Sequence, residues 1–96
     1  MNYSALVLHK HDNVATAVRP LTDGDTINVE IGHGTISVVL LQSISFGHKF
    51  ALKDILHGEE IIKYGETIGR ATVDIRKGEH VHVHNVEGLR GRGDRP

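Results

Sequence analysis

The stretch that decides the fold is Gly78-Glu79-His80-Val81-His82-Val83-His84-Asn85. Histidine and valine alternate through it with a period of two, the period of a β-strand and not of a helix. Residues i, i+2 and i+4 of a strand share a face. The spacing therefore predicts His80, His82 and His84 on one side and Val81 and Val83 on the other. Branched valines suit a packed, pleated surface, so that side is expected to face the core. The imidazoles would then stand in a row about 7 Å apart, at roughly 3.3 Å rise per residue. Two histidines at i and i+2 on a strand can converge on one ion, which makes the row a candidate metal group. Its other reading is a solvated polar face opposite a valine core.

The same pattern of short strands and polar turns extends outward. Ala5-Leu6-Val7-Leu8 and Val14-Ala15-Thr16-Ala17-Val18 read as two strands, with Asp12-Asn13 supplying the turn chemistry between them. Leu21-Thr22-Asp23-Gly24-Asp25 is another turn, leading into the alternating strand Thr26-Ile27-Asn28-Val29-Glu30-Ile31. Gly32-His33-Gly34 joins that strand, hairpin fashion, to residues 35–42. Three similar phrases follow, each an isoleucine, a glycine turn and a strand. They are Ile44-Ser45-Phe46-Gly47-His48 before Lys49, Ile55-Leu56-His57-Gly58-Glu59 before Glu60, and Asp74-Ile75-Arg76-Lys77-Gly78-Glu79-His80 before Val81. No segment offers more than one turn of helical spacing, the best being residues 51–57. The fold expected is all-β, one compact domain over residues 1–87. From Gly88 the chain turns glycine- and arginine-rich, so residues 88–96 are expected to be a flexible tail or a linker to something larger.

Composition narrows the function classes. The 96 residues suit one domain with a modest core. With no cysteine, disulfides and thiolate metal sites are excluded; this fits a cytoplasmic protein. The longest apolar run, Ile36-Ser37-Val38-Val39-Leu40-Leu41, is far too short for a membrane helix, and the N-terminus lacks the pattern of a signal peptide. A net charge of −1 and only two Phe and two Tyr give no basic field and little stacking surface for nucleic acid. Eight histidines point instead to a small ligand or a metal.

Several words of the sequence, in order and at matching separations, resemble one known family. They are His9 with Asp12-Asn13-Val14-Ala15, Gly47-His48-Lys49-Phe50-Ala51-Leu52, Asp54-Ile55, Ile62-Lys63-Tyr64-Gly65, Ile68-Gly69 and Gly78-Glu79-His80-Val81-His82 with His84-Asn85. Together they resemble the small N-terminal SAF-type (β-clip) domain of the altronate dehydratase family of sugar-acid dehydratases. The resemblance implies a compact SAF-like β-clip barrel. It also implies part of a lyase that removes water from altronate or a related hexonate, giving a 2-keto-3-deoxy acid. Iron(II) or manganese, held mainly by a large catalytic domain or subunit, is the implied cofactor. That large partner is absent from this chain, so little turnover is expected from the chain alone. A small subunit of a sulfolactate-type lyase would look similar, and a non-catalytic sugar-acid- or metal-binding module is a further reading.

The site residues follow from both arguments. His9 and His48 are the candidate catalytic groups, on the expectation that they face the sugar acid and relay a proton. Asp12, Asn13 and Lys49 are candidate substrate contacts, Lys49 as a point charge for a carboxylate. Each has a plainer alternative: Asp and Asn in turns commonly bond their own backbone, and Gly47-His48-Lys49 can be simply an exposed turn. Tyr64 and the glycines near it read as architectural. A cupin would also carry a His-x-His strand, but it needs a second histidine motif further on.

Overall fold

The computed structural model describes residues 3–88, and among these there is no helix. Nine short strands form three antiparallel sheets. The first sheet contains β1 (Ala5–Leu6), β2 (Val14–Ala17), β5 (Lys49–Ala51) and β8 (His80–Val81), in the order β1-β2-β5-β8. The second is the hairpin β3 (Thr26–Ile31) and β4 (Gly34–Val39). The third, in the order β6-β7-β9, comprises β6 (Glu60–Lys63), β7 (Glu66–Ala71) and β9 (Val86–Gly88). The all-β expectation holds. The barrel does not close: among the described residues the strands stay in three separate sheets. Strand β9 includes Gly88, and the rest of the expected tail lies outside the described residues.

The four-stranded sheet divides two cores. Alternate side chains of its strands point to opposite faces. Ala5, Ala15, Ala17 and Phe50 therefore join Leu21, Ile27, Val29, Val38, Leu40, Ile44 and Leu52 under the β3–β4 hairpin. Val14, Ala51 and Val81 join Ile55, Ile61, Ala71 and Ile75 under β6–β7. Register agrees with this division: Ala15 faces Phe50, and Val14 faces Ala51.

What ties the sheets together is one turn used four times. The sequence reading recognised three copies; Leu21-Thr22-Asp23-Gly24-Asp25 is the fourth. In each, a branched residue makes an isolated bridge, Leu21 with Ile44 and Ile55 with Ile75. A four-residue turn follows, with its glycine at φ between 82° and 90° (Gly24, Gly47, Gly58, Gly78), a conformation that costs L-residues strain. The amide of the fourth residue donates to the carbonyl of the first: Asp25 to Thr22, His48 to Ser45, Glu59 to Leu56 and Glu79 to Arg76, all at 2.9–3.0 Å. A positive φ at the third position with this bond is the type II pattern.

The opening stretch departs from its reading. Only His80 and Val81 are strand; residues 82–85 turn back. Asn85, 1 % exposed, causes the reversal. Its Oδ1 accepts the His82 amide at 2.9 Å, its Nδ2 donates to the His80 carbonyl at 2.9 Å, and its own amide donates to the His82 carbonyl at 3.1 Å. Val81 is buried as expected, but Val83, beyond the break, is 81 % exposed. A side chain that bonds nearby backbone competes with the strand ladder, and here it wins.

Candidate metal and acid site

The turn that ends β8 gathers the histidines more tightly than a strand would. His80 and His82 have ring centroids 5.4 Å apart and nearly parallel. The third member comes from across the sheet. His48 immediately precedes β5, which pairs with β8 through Lys49 and Val81 and through Phe50 and His80. The His48 ring stacks 4.0 Å from that of His82 and 5.1 Å from that of His80. Its Nδ1 lies 2.9 Å from His80 Nε2, a hydrogen bond in which one nitrogen carries the proton. One nitrogen from each of His48, His80 and His82 falls within 4.8 Å of the others, all three residues being partly buried. His84 is exposed and stands beside His80 at 5.2 Å, outside that converging set.

The backbone under the cluster is fixed by side chains. Gln42 Oε1 accepts the His80 amide at 2.8 Å, and Asn85 holds the His80 carbonyl and the His82 amide. Burial pushes the His80 imidazole below its ordinary value, helped by the positive charge of His84, His48, His82 and Lys49. His82 moves the same way, through burial and then His48, Lys49 and His84. Lys49 is also lowered, by burial first and then by Lys63. Unprotonated imidazole is the metal-binding form, so the surroundings favour the state that ligation needs. Three imidazole nitrogens suit iron(II) or zinc better than manganese, which prefers oxygen. Iron(II) and zinc are alike compatible with such a donor set.

The other expected site residues form a separate group. The His9 ring covers Gly65, where a Cβ would lie 2.8 Å from His9 Cδ2. His9 Nδ1 accepts the His11 amide at 3.1 Å. Beneath it, Asp12 Oδ1 accepts the Gly65 amide at 2.8 Å, while buried Asp12 Oδ2 finds no partner among the described residues. Asn13 pairs with β6 twice over, donating from Nδ2 to the Glu60 carbonyl at 2.8 Å and accepting the Ile62 amide on Oδ1 at 2.7 Å. Asp12 and Asn13 thus hold the Tyr64-Gly65 turn, in which both residues have positive φ, 56° and 77°; Lys63 Nζ rests 4.7 Å from the Tyr64 ring centroid. Among the described residues no hydrogen bond or ring contact joins His9 to the His48 cluster. Lys49 is felt as a charge at His80 and His82, and itself feels Lys63. His48 as a partner of the His-x-His words has no local signal; the link is a strand pairing 32 residues long in sequence.

Comparison with known proteins agrees with the family resemblance read from the sequence. The family model described as the altronate/galactarate dehydratase SAF domain matches residues 3–89. Altronate dehydratase of Escherichia coli K12 is 46 % identical over 79 residues, covering 82 % of this chain and 15 % of that protein. Altronate dehydratase of Bacillus subtilis 168 is 40 % identical over 84 residues, covering 88 % and 16 %. The (2R)-sulfolactate sulfo-lyase subunit alpha of Chromohalobacter salexigens is 47 % identical over 53 residues, covering 55 % and 56 %. The chain thus spans only about a sixth of the altronate dehydratases that it matches.

Proposed function

We propose, from the premise that this chain belongs to the altronate/galactarate dehydratase SAF domain family, that it is the small part of a metal-dependent sugar-acid dehydratase. It would complete a site whose remainder lies on a large catalytic domain or subunit, in a cytoplasmic setting, with altronate as the leading substrate. The observation that carries the reading is the meeting of His48 with His80 and His82, 2.9 Å apart at the closest pair. Two words far apart in the chain are folded into one imidazole cluster that the core does not need.

Dehydration of a hexonate removes the proton beside the carboxylate and the hydroxyl on the next carbon, and the enol so formed becomes a 2-keto-3-deoxy acid. The step needs a base for that proton and positive charge for the enediolate. His48, His80 and His82 would hold a divalent ion, iron(II) by the family resemblance and compatible with imidazole donors; when bound, such an ion would supply Lewis-acid stabilisation of the enediolate. Lys49, whose charge is felt at His80 and His82, would add positive charge near the site. His9, expected from the resemblance to face the sugar acid, would be the proton carrier at the leaving hydroxyl. Asp12 and Asn13 act one step back in this proposal, building the turn over which His9 lies.

A second reading rests on a specific observation. The sulfolactate sulfo-lyase relative is itself a subunit, matched over 56 % of its length, whereas the dehydratases are matched over 15–16 %. The same cluster could then serve a lyase acting on a three-carbon sulfonated acid. Assay of the chain combined with a large dehydratase subunit separates these readings. Water loss from altronate only in the combination, and its collapse in the His48→Ala complex, would support the first; sulfite release from sulfolactate without altronate turnover would support the second. Full altronate turnover by the large subunit alone would overturn the proposal.

A further inference from the structure

The four sister turns carry their own template for a ligand. In three of them the first and second amides are each taken by a side-chain oxygen. Thr22 donates to Asp25 Oδ2 at 3.2 Å, Leu56 to Glu59 Oε1 at 2.6 Å and Arg76 to Glu79 Oε1 at 2.9 Å. The second amides donate across the bridge to the residue before the partner isoleucine: Asp23 to Ser43 Oγ at 3.2 Å, His57 to Asp74 Oδ1 at 2.8 Å and Lys77 to Asp54 Oδ1 at 2.9 Å.

The turn 45–48 keeps the backbone and loses both acceptors. His48 stands where the others have Asp or Glu, and its ring is turned to His80. Pro20 stands where the others have Ser or Asp across the bridge, and proline has no side-chain acceptor. Among the described residues no acceptor takes the Ser45 or Phe46 amide, and both residues are exposed. These two donors lie on the turn that delivers His48 to the imidazole cluster, with Lys49 the next residue.

We propose that the turn 45–48 is a carboxylate-binding site, its Ser45 and Phe46 amides taking the oxygens of a bound acid as the sister turns take their own. Oriented backbone amides in such turns are anion-binding concavities, and hydrogen bonds to an ionised acceptor are about twice as strong as neutral ones. The ligand class is a small hydroxy acid, whose hydroxyls would extend over the imidazoles. Naming the hydroxyl-bearing part rests on the function proposed above; the carboxylate seat rests on the turns alone.

The test is an amide-resolved NMR titration of the full 96-residue chain, kept metal-free with a chelator. Sodium acetate and sodium gluconate are the probes, with sodium chloride at matched ionic strength as control. The Ser45 and Phe46 resonances should shift with both acids, while the occupied Leu56 and Arg76 amides stay in place. A larger response to gluconate assigns the seat to a hydroxy acid, and an equal response assigns it to a carboxylate alone, such as a partner's side chain. His48→Ala should keep the response. His48→Glu should abolish the response at Ser45, because the new carboxylate takes that amide as Glu59 and Glu79 take theirs, and should raise the melting temperature. Phe46→Pro, which a type II turn accepts at its second position, removes one donor and should weaken the response at Ser45. No shift at Ser45 and Phe46, equal shifts at Leu56 and Arg76, or a full response in His48→Glu would each overturn the proposal. None of these results bears on ion binding or on the dehydratase reading.

Discussion

The turns 45–48 and 76–79 sit on neighbouring strands of one sheet and share one backbone, yet their fourth residues do opposite work. Glu79 folds back and accepts the amide of Arg76. His48 leaves its own turn open and reaches His80. The same substitution of task is absent from the turns 22–25 and 56–59, which both close on their own acids. A fold that solves one local problem the same way three times exposes its exception, and the exception is where the proposed chemistry is lodged. Local consistency is the rule that foldable sequences keep, and functional sites are where they break it.

The largest effect expected from probing this comparison comes from the glycines. At Gly78 an added Cβ would overlap the Val39 carbonyl oxygen, besides meeting φ of +90°. At Gly47 nothing lies within 4 Å. Gly78→Ala should therefore cost about 2–5 kcal/mol, strain and overpacking together, and Gly47→Ala only about 1–2 kcal/mol. Urea unfolding of the two variants measures the difference; equal costs would mean that the turns are not alternatives on one frame.

Next comes the support of the cluster. Asn85→Ala leaves the His82 amide and the His80 carbonyl without their side-chain partners, which should cost about 1–3 kcal/mol. The His80 and His82 ring resonances should also disperse less in an NMR spectrum, since the chain between them is no longer pinned. Smaller still are the caps. Glu59→Ala and Glu79→Ala should each lose about 0.5–1.5 kcal/mol, and His48→Glu should gain within the same range. A loss in all three by unfolding midpoint would dissolve the contrast between the turns.

Least in size is the pH dependence of the metal-free chain. Burial holds His80 and His82 below the ordinary imidazole value of 6.5, so between the folded value and 6.5 the unfolded chain binds more protons. Stability then rises with pH across that window, is fully present above 6.5, and is lost as pH falls through the lowered folded values. Unfolding midpoints on either side of 6.5 should show that slope, and His80→Gln with His82→Gln should flatten it.

Much of the fold was legible in the sequence because period-two patterning and glycine turns are local signals. Residues 26–31 and 34–39 pair as the hairpin that Gly32-His33-Gly34 announces, and three of the four repeated turns were visible as phrases. The fourth was hidden because Leu21 replaces isoleucine and its glycine turn looked like any other. The histidine words promised a site, but its membership was not legible. Asn85 breaks the strand after Val81 by bonds that a period-two pattern does not contain, and His48 arrives through the pairing of β5 with β8. Asp12 and Asn13 were readable as turn residues; that they serve the distant turn at Gly65 and strand β6 was not.

Which histidines share an ion is the most direct question to put to the molecule. Calorimetric titration of iron(II), with zinc as an air-stable stand-in, would compare the unaltered chain with His48→Ala and His84→Ala. Loss of a ligand should weaken binding by at least the roughly 10- to 100-fold that removal of an outer-shell partner costs. The account expects that loss for His48→Ala and near-unchanged affinity for His84→Ala. Tight binding that survives His48→Ala and fails in His84→Ala would contradict it, returning the ion to the row of His80, His82 and His84.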